Sequence, residues 1–170
     1  MSLSFSVTNE EQLFEITNQL APTLKNQQVI FIEGDVGAGK TTFIRYLLET
    51  LAKNNQSKFF FQGSPTYQRE NQYYFNELNC VHFDFYQVED HPNIDLEDYI
   101  VDHCLLIEWP LNILRKKYQQ EALFIKIIPD RKHRTIEIHS ENPQWLYQIQ
   151  YISLKLKNNF LRRISNYEVS

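Results

Sequence analysis

Apolar positions along the chain repeat in two ways, every second residue in some stretches and about every 3.6 residues in others. The first pattern predicts strands and the second predicts amphipathic helices. The stretches with strand character are 4–7, 28–34, 72–76, 81–86, 104–109, 122–129 and 134–140. The stretches with helical character are a segment opening at a Thr8–Glu11 capping box, then 41–53, 96–100, a segment starting at Pro110, and 143–166.

Strands and helices alternate along most of the sequence, with some strand-rich stretches. This order is typical of an α/β fold in which helices cover both faces of a sheet, so we expect a three-layer sandwich with a mixed, largely parallel sheet. The 170 residues suffice for one hydrophobic core. A single domain over residues 1–170 is therefore predicted.

Composition narrows the possible functions. The net charge of −4 at pH 7 shows no excess of basic residues, so we expect no direct binding to nucleic acid. No run of apolar residues is long enough to span a membrane, and the first residues lack the pattern of a signal peptide. Cys80 and Cys104 stand far apart, without the spacing of a metal or redox motif. These features predict a cytoplasmic protein without a membrane anchor.

Glycine is rare in this chain, and its placement is informative. Three of the four glycines fall within "GDVGAGKT", between a predicted strand and a predicted helix. This stretch matches the phosphate-binding loop G-x-x-x-x-G-K-[ST], in which backbone N–H groups and the start of the helix bind phosphate oxygens. A glycine-rich turn beside a surface lysine is the alternative interpretation. The residues that we expect to bind nucleotide here are Gly34, Asp35, Val36, Gly37, Ala38, Gly39, Lys40, Thr41 and Thr42.

The residue types in this loop suit ATP and Mg²⁺. Lys40 is predicted to reach the β and γ phosphates, Thr41 to hold Mg²⁺ through its hydroxyl, and Thr42 to lie near the α phosphate. The expected three-layer sandwich is therefore predicted to be a P-loop NTPase-like fold.

Such a loop needs a carboxylate from another strand for the metal or the attacking water. "CLLIEWP" supplies Glu108 at the end of an apolar strand, although Glu108 could instead interact only with the helix predicted to start at Pro110. In "VHFDFY" the two-residue period places His82 and Asp84 on one face of a strand. A histidine there is more often structural than a ligand, so Asp84 is the second candidate. Which carboxylate binds metal and which positions water stays open.

A fourth stretch, "GSPTY", offers the hydroxyls of Ser64 and Thr66 around Pro65 and by itself indicates only a turn. Taken in order, "GDVGAGKTT", "GSPTY", "HFDFY" and "LLIEWP" resemble the TsaE (YjeE) family, the bacterial ATPases of tRNA threonylcarbamoyladenosine biosynthesis. The resemblance covers roughly residues 5–140 and leaves out the C-terminal helix at about 143–166. It implies a small ATPase that binds ATP and Mg²⁺ and needs its partners TsaD and TsaB for turnover. Their product is a modified adenosine beside the anticodon.

The resemblance also implies roles for individual residues. Thr66 is similar to a switch-like threonine that responds to bound nucleotide, and Trp109 matches a tryptophan beside the second acid. Asp84 and Glu108 resemble the family's two acidic site residues, which with Lys40 form the predicted catalytic set and with Thr41 the metal site. Gln87 departs from the pattern, because the family usually has arginine there.

Three other classes of protein are alternatives to an ATPase of this family. A GTPase would need Asn-Lys-x-Asp to read guanine, and this sequence has no such motif. A small-molecule kinase would add a lid bearing arginines, and the arginines of this chain show no lid pattern. A nucleotide-dependent scaffold, in which ATP binding only orders the loop around Thr66, is the non-enzymatic alternative.

Overall fold

A computed structural model of the protein describes residues 2–66, 69–91 and 93–167, with side chains described as far as residue 157. Tyr67 of the "GSPTY" motif therefore lies outside the described residues. The strands are β1 (Ser2–Val7), β2 (Val29–Glu33), β3 (Glu70–Phe75), β4 (Leu78–Asp84), β5 (Cys104–Glu108), β6 (Leu123–Pro129) and β7 (Arg134–Ser140). The helices are α1 (Glu10–Leu20), α2 (Lys40–Asn54), α3 (Glu97–Ile100), α4 (Asn112–Lys117) and α5 (Pro143–Tyr167), with a 3₁₀ turn at Ala21–Thr23.

The strands form one seven-stranded sheet in the order β1-β7-β6-β2-β5-β4-β3. β2 lies at its centre and pairs in parallel with both β5 and β6, and β5 pairs in parallel with β4. β3 and β7 run in the opposite direction to the other strands. The predicted mixed, largely parallel sheet is confirmed. Central strands of such a sheet are buried on both faces, which explains the continuous apolar runs in β2 and β5.

Alternate residues of the strands enter two hydrophobic clusters, one on each face of the sheet. In β2, Ile30 and Ile32 join the larger cluster, while Val29 and Phe31 join the smaller one. The larger cluster also takes the apolar faces of α1, α2 and α5. The smaller cluster is covered by the short α4, by residues around α3 and by connecting segments. Helical material therefore lies on both faces, as expected for three layers.

Two helix starts differ from the sequence prediction. α1 is capped by Asn9, whose side-chain oxygen accepts the Gln12 backbone N–H at 2.9 Å, and the Gln12 side chain accepts the Thr8 N–H at 2.7 Å. The predicted Thr8–Glu11 capping box is wrong by one residue, because Asn caps helices at least as well as Thr. α4 begins two residues after Pro110, and its first N–H groups donate to the carboxylate of Asp90.

Candidate functional site

The phosphate-binding loop connects β2 at the centre of the sheet to α2. Its glycines are required by the backbone. Gly34 has φ +148°, and a β-carbon there would lie only 2.5 Å from the carbonyl oxygen of Ile127 on β6. Gly39, which caps α2, has φ +108° in the region that favours glycine. The loop therefore lies directly against the neighbouring strand, and the N-terminus of α2 opens at the edge of the sheet where the parallel strands end.

Lys40 is the first residue of α2, and its side chain folds back over the loop. Its ammonium donates to the carbonyl oxygens of Gly34 at 2.8 Å and Asp35 at 2.9 Å, and the residue is buried. Burial lowers the pKa of Lys40 below its usual value, and the nearby carboxylates of Glu108 and Asp84 oppose that shift. The cation thus lies between the loop carbonyls and the two predicted acids.

Glu108 ends β5 and is buried beside the start of α2. Its Oε1 accepts the hydroxyl of Thr41 at 2.9 Å and lies 2.9 Å from Nε2 of His82. A ring nitrogen that faces a carboxylate oxygen carries the proton, so His82 is the hydrogen-bonded structural histidine that its position on β4 suggested. The hydrogen bonds of Glu108 are thus with Thr41 and His82. The first N–H groups of α4 donate instead to Asp90. The alternative role for Glu108, as a partner of that helix, is disfavoured.

Asp84 ends β4 and lies opposite Glu108 in the register of the two parallel strands. Its Oδ2 accepts hydroxyls from Ser64 and from Thr66, the latter at 2.7 Å, and its Oδ1 accepts the backbone N–H of Tyr86 at 2.9 Å. The carboxylate therefore fixes the segment that contains Ser64 and Thr66 to the end of the sheet.

Aromatic rings border the site on the side of these two strands. The rings of Tyr86 and Trp109 pack with centroids 4.9 Å apart, and the Lys40 ammonium lies 4.2 Å from the Trp109 centroid. Trp109 has φ +52°, a conformation that turns the chain sharply after Glu108. Gln87, at the position where arginine was expected, is exposed in the turn that follows β4.

These elements enclose a cavity of about 190 Å³. Larger cavities, such as those of about 640 and 440 Å³, are lined by none of the predicted site residues. The small one lies below the range of about 300–1,000 Å³ that ligand pockets usually span, so it can take only part of a nucleotide. Its lining residues are Val36, Gly37, Lys40, Thr41, Ser64, Thr66, Asp84, Tyr86, Glu108 and Trp109.

The structure thus brings Lys40, Thr41, Thr66, Asp84 and Glu108 to one place. Of the other predicted residues, Asp35 is exposed, Ala38 is a buried residue of the loop, and Thr42 lies in the first turn of α2 outside the cavity lining. Ser64 was not predicted as a site residue, although its spacing from Thr66 around a proline was a usable signal.

Metal binding at this site would follow the pattern of Mg²⁺. No group of three or more His, Cys, Asp or Glu side chains suited to a metal occurs in the part of the chain that is described. Mg²⁺ commonly uses only one or two protein ligands together with phosphate oxygens and water. The hydroxyl of Thr41 beside the carboxylate of Glu108 fits that requirement.

Among residues 2–66, 69–91 and 93–167, no helix has the length and apolar character needed to cross a membrane.

Comparison with known proteins adds independent information. The family model for threonylcarbamoyl adenosine biosynthesis protein TsaE matches residues 7–137. A protein of Aquifex aeolicus named tRNA threonylcarbamoyladenosine biosynthesis protein TsaE is 32% identical over 126 residues, which are 74% of this chain and 88% of that protein. A Bacillus subtilis protein of the same name is 31% identical over 127 residues, 74% of this chain and 77% of its own length. The crystal structure of Bacillus subtilis YdiB superimposes with a TM-score of 0.71 at 23% identity, over 91% of this chain and 96% of that one.

Proposed function

Because this chain belongs to the TsaE family of tRNA threonylcarbamoyladenosine biosynthesis proteins, we propose that it is a Mg²⁺-dependent ATPase acting in that modification with TsaD and TsaB homologues. The observation that carries the proposal is the contact of Thr41 with Glu108, 2.9 Å, at the first turn of the helix that follows the phosphate loop. A hydroxyl and a carboxylate joined at that place are what nucleotide-bound Mg²⁺ requires from a phosphate-loop protein.

Each residue of the loop has a role in this proposal. Backbone N–H groups of residues 34–39 bind the phosphate chain, and Lys40 leaves the carbonyls of Gly34 and Asp35 to bind the β and γ phosphates. Thr42 lies near the α phosphate. Thr41 and Glu108 hold Mg²⁺, which would neutralise charge that develops on the phosphate oxygens. His82 keeps the Glu108 carboxylate in place through its ring N–H.

Asp84 is assigned to the conformational response. Both of its oxygens already accept protein hydrogen bonds, from Ser64, Thr66 and the Tyr86 backbone. It contributes to the metal site only if the segment at 64–66 moves. A γ phosphate that draws Thr66 inward would release Asp84 toward the metal or its water, so the surface formed by this segment would differ between ATP and ADP.

Turnover is proposed to depend on the partners. Among the described residues that line the cavity, none is an arginine and Lys40 is the one cationic side chain. Phosphoryl transfer is accelerated strongly by an additional cation near the γ phosphate. A partner protein that supplies such a group would explain why hydrolysis by the isolated chain is expected to be slow.

The decisive experiment measures ATP hydrolysis and ATP binding for Glu108→Gln in the presence of TsaD and TsaB. We expect turnover to fall by at least about 100-fold, because the carboxylate both holds metal and can accept a proton, while ATP affinity changes less than about threefold. Glu121→Gln is the matched control, since Glu121 is exposed and precedes β6, at the opposite end of the sheet from the phosphate loop.

The same experiment separates the alternatives. ATP binding without partner-stimulated hydrolysis by the parent protein would favour the nucleotide-dependent scaffold. Full turnover by Glu108→Gln would remove Glu108 from the catalytic set. Transfer of the γ phosphate to a small acceptor instead of water would favour a kinase.

A further inference from the structure

Arg134, the first residue of β7, brings a second cation to the phosphate loop. A β-carbon built on Gly39 would lie 3.8 Å from Cζ of Arg134, 3.9 Å from its Nε and 4.0 Å from its Nη1. The guanidinium therefore packs over the last residue of the loop, next to the backbone from which α2 starts. Nothing in the local sequence around Arg134 indicates this position, because the contact depends on the β6–β7 hairpin.

No carboxylate within the described residues neutralises this guanidinium. Arg134 makes no ion pair and no side-chain hydrogen bond there, unlike Arg115, which contacts Glu33 at 2.8 Å, and Arg45, which approaches Glu49 at 3.8 Å. It is half-buried rather than free in solvent. An arginine without a counterion at the edge of an anion-binding loop has donors available for a phosphate group.

The order of the strands decides which part of the nucleotide Arg134 would meet. β2 carries the loop, Glu108 and Asp84 end β5 and β4 on one side of it, and Arg134 begins β7 on the other side, beyond β6. Lys40 leans toward the first side, where its ammonium lies over Trp109. The γ phosphate and Mg²⁺ belong with the carboxylates, so the opposite side of the loop is left for the α phosphate.

We propose that Arg134 is a further nucleotide-binding residue, which donates hydrogen bonds to the α phosphate of ATP and ADP from the side of the loop opposite Glu108. This inference rests on the proposed ATP binding and adds a residue to that same site. Since both nucleotides contain the α phosphate, Arg134 contributes equally to the affinity for each. It is a binding residue, and the cation that accelerates hydrolysis still comes from elsewhere.

The test is calorimetric titration of ATP and ADP, each with Mg²⁺, into the parent chain and into Arg134→Gln. We expect both dissociation constants to rise by about tenfold. This is the low end of the effect of losing a hydrogen bond to a charged group, because Arg134 is half-exposed. Arg131→Gln is the matched control: it removes the same charge from an exposed position in the same hairpin and should change neither constant by more than about twofold. Arg134→Lys keeps the charge but loses the planar fork, so it should weaken binding of both nucleotides by an intermediate factor.

The outcomes are distinguishable. If the parent chain binds neither nucleotide, the proposed function itself fails. If the parent binds and Arg134→Gln binds as tightly, only this inference is overturned. A loss confined to ATP would place Arg134 at the γ phosphate and would also overturn it, as would an equal loss in Arg131→Gln, which would indicate a general effect of charge. Should Arg134→Gln fail to fold, judged by its thermal unfolding without nucleotide, undiminished binding by Arg134→Lys would contradict the proposal.

Discussion

Replacing Gly34 with alanine tests the close approach of the phosphate loop to the sheet. The added β-carbon would lie 2.5 Å from the carbonyl oxygen of Ile127 and 3.0 Å from the β-carbon of Ala38. The first of these atoms is backbone in the middle of β6, so it cannot rotate away as a side chain would. Gly37 provides a matched control in the same loop, because a β-carbon there meets nothing within 4 Å.

The two substitutions share one cost and differ in another. Both residues have positive φ, +148° for Gly34 and +77° for Gly37, where an alanine is strained by about 1–2 kcal/mol. Gly34→Ala must in addition push apart β2 and β6, and forced overpacking of this kind costs about 1–3 kcal/mol more. We therefore expect a loss of about 2–5 kcal/mol for Gly34→Ala and about 1–2 kcal/mol for Gly37→Ala, so that the two variants differ by the cost of overpacking.

Urea unfolding followed by circular dichroism measures this difference. With a denaturant slope of about 2 kcal/mol per molar, the midpoint should fall by about 1–2.5 M for Gly34→Ala and by about 0.5–1 M for Gly37→Ala. Equal midpoints for the two variants would refute the reasoning, since they would show that the contact with Ile127 carries no cost and that both glycines serve only backbone conformation.

Further predictions concern the site itself. Lys40→Ala should weaken ATP binding by at least about tenfold, because the β and γ phosphates keep only backbone donors, whereas Lys53→Ala at the far end of α2 should bind normally; equal affinities in calorimetry would contradict this. The parent chain should bind TsaD–TsaB more tightly with a non-hydrolysable ATP analogue than with ADP. Thr66→Ala or Asp84→Asn should each abolish most of that difference in a pull-down, while nucleotide binding survives. Equal binding of the parent with both nucleotides would exclude the proposed conformational response. The isolated chain should hydrolyse ATP at less than about 1 per second. A rate without partners in the kinase range of about 1–100 per second would argue against activation by partners.

The elements that could be predicted from the sequence are those whose residue pattern is local. β2, the glycine loop and α2 form consecutive segments, and each carries its own pattern of residues. That Asp84 and Glu108 lie together was predictable, because each ends an apolar strand and parallel strands place their carboxyl ends at one edge of the sheet. The N-cap of α1 was misplaced by one residue because Thr8 and Asn9 are both good caps and only the folded chain selects between them.

What the sequence could not provide are contacts between distant segments. The bonds from Ser64 and Thr66 to Asp84 depend on how the connection after α2 returns to the sheet. The position of Arg134 depends on the pairing of β7 with β6. β7 lies two strands away from β2, which carries the loop that Arg134 contacts. Strand order and register arise from the packing of the whole core and cannot be read from a short window of residues.

The two faces of the sheet differ in how firmly they are held. One is covered by helices of 11, 15 and 25 residues, the other by helices of only four and six residues joined by irregular segments. The ion pairs of Lys117 with Asp95 and Glu97 on that thinner side are exposed, and such pairs stabilise little. Backbone amides there should exchange with solvent through partial openings that leave α1 and α2 intact. The segments that follow Asp84 and Glu108 can thus rearrange as a small cooperative unit while the phosphate loop keeps its shape.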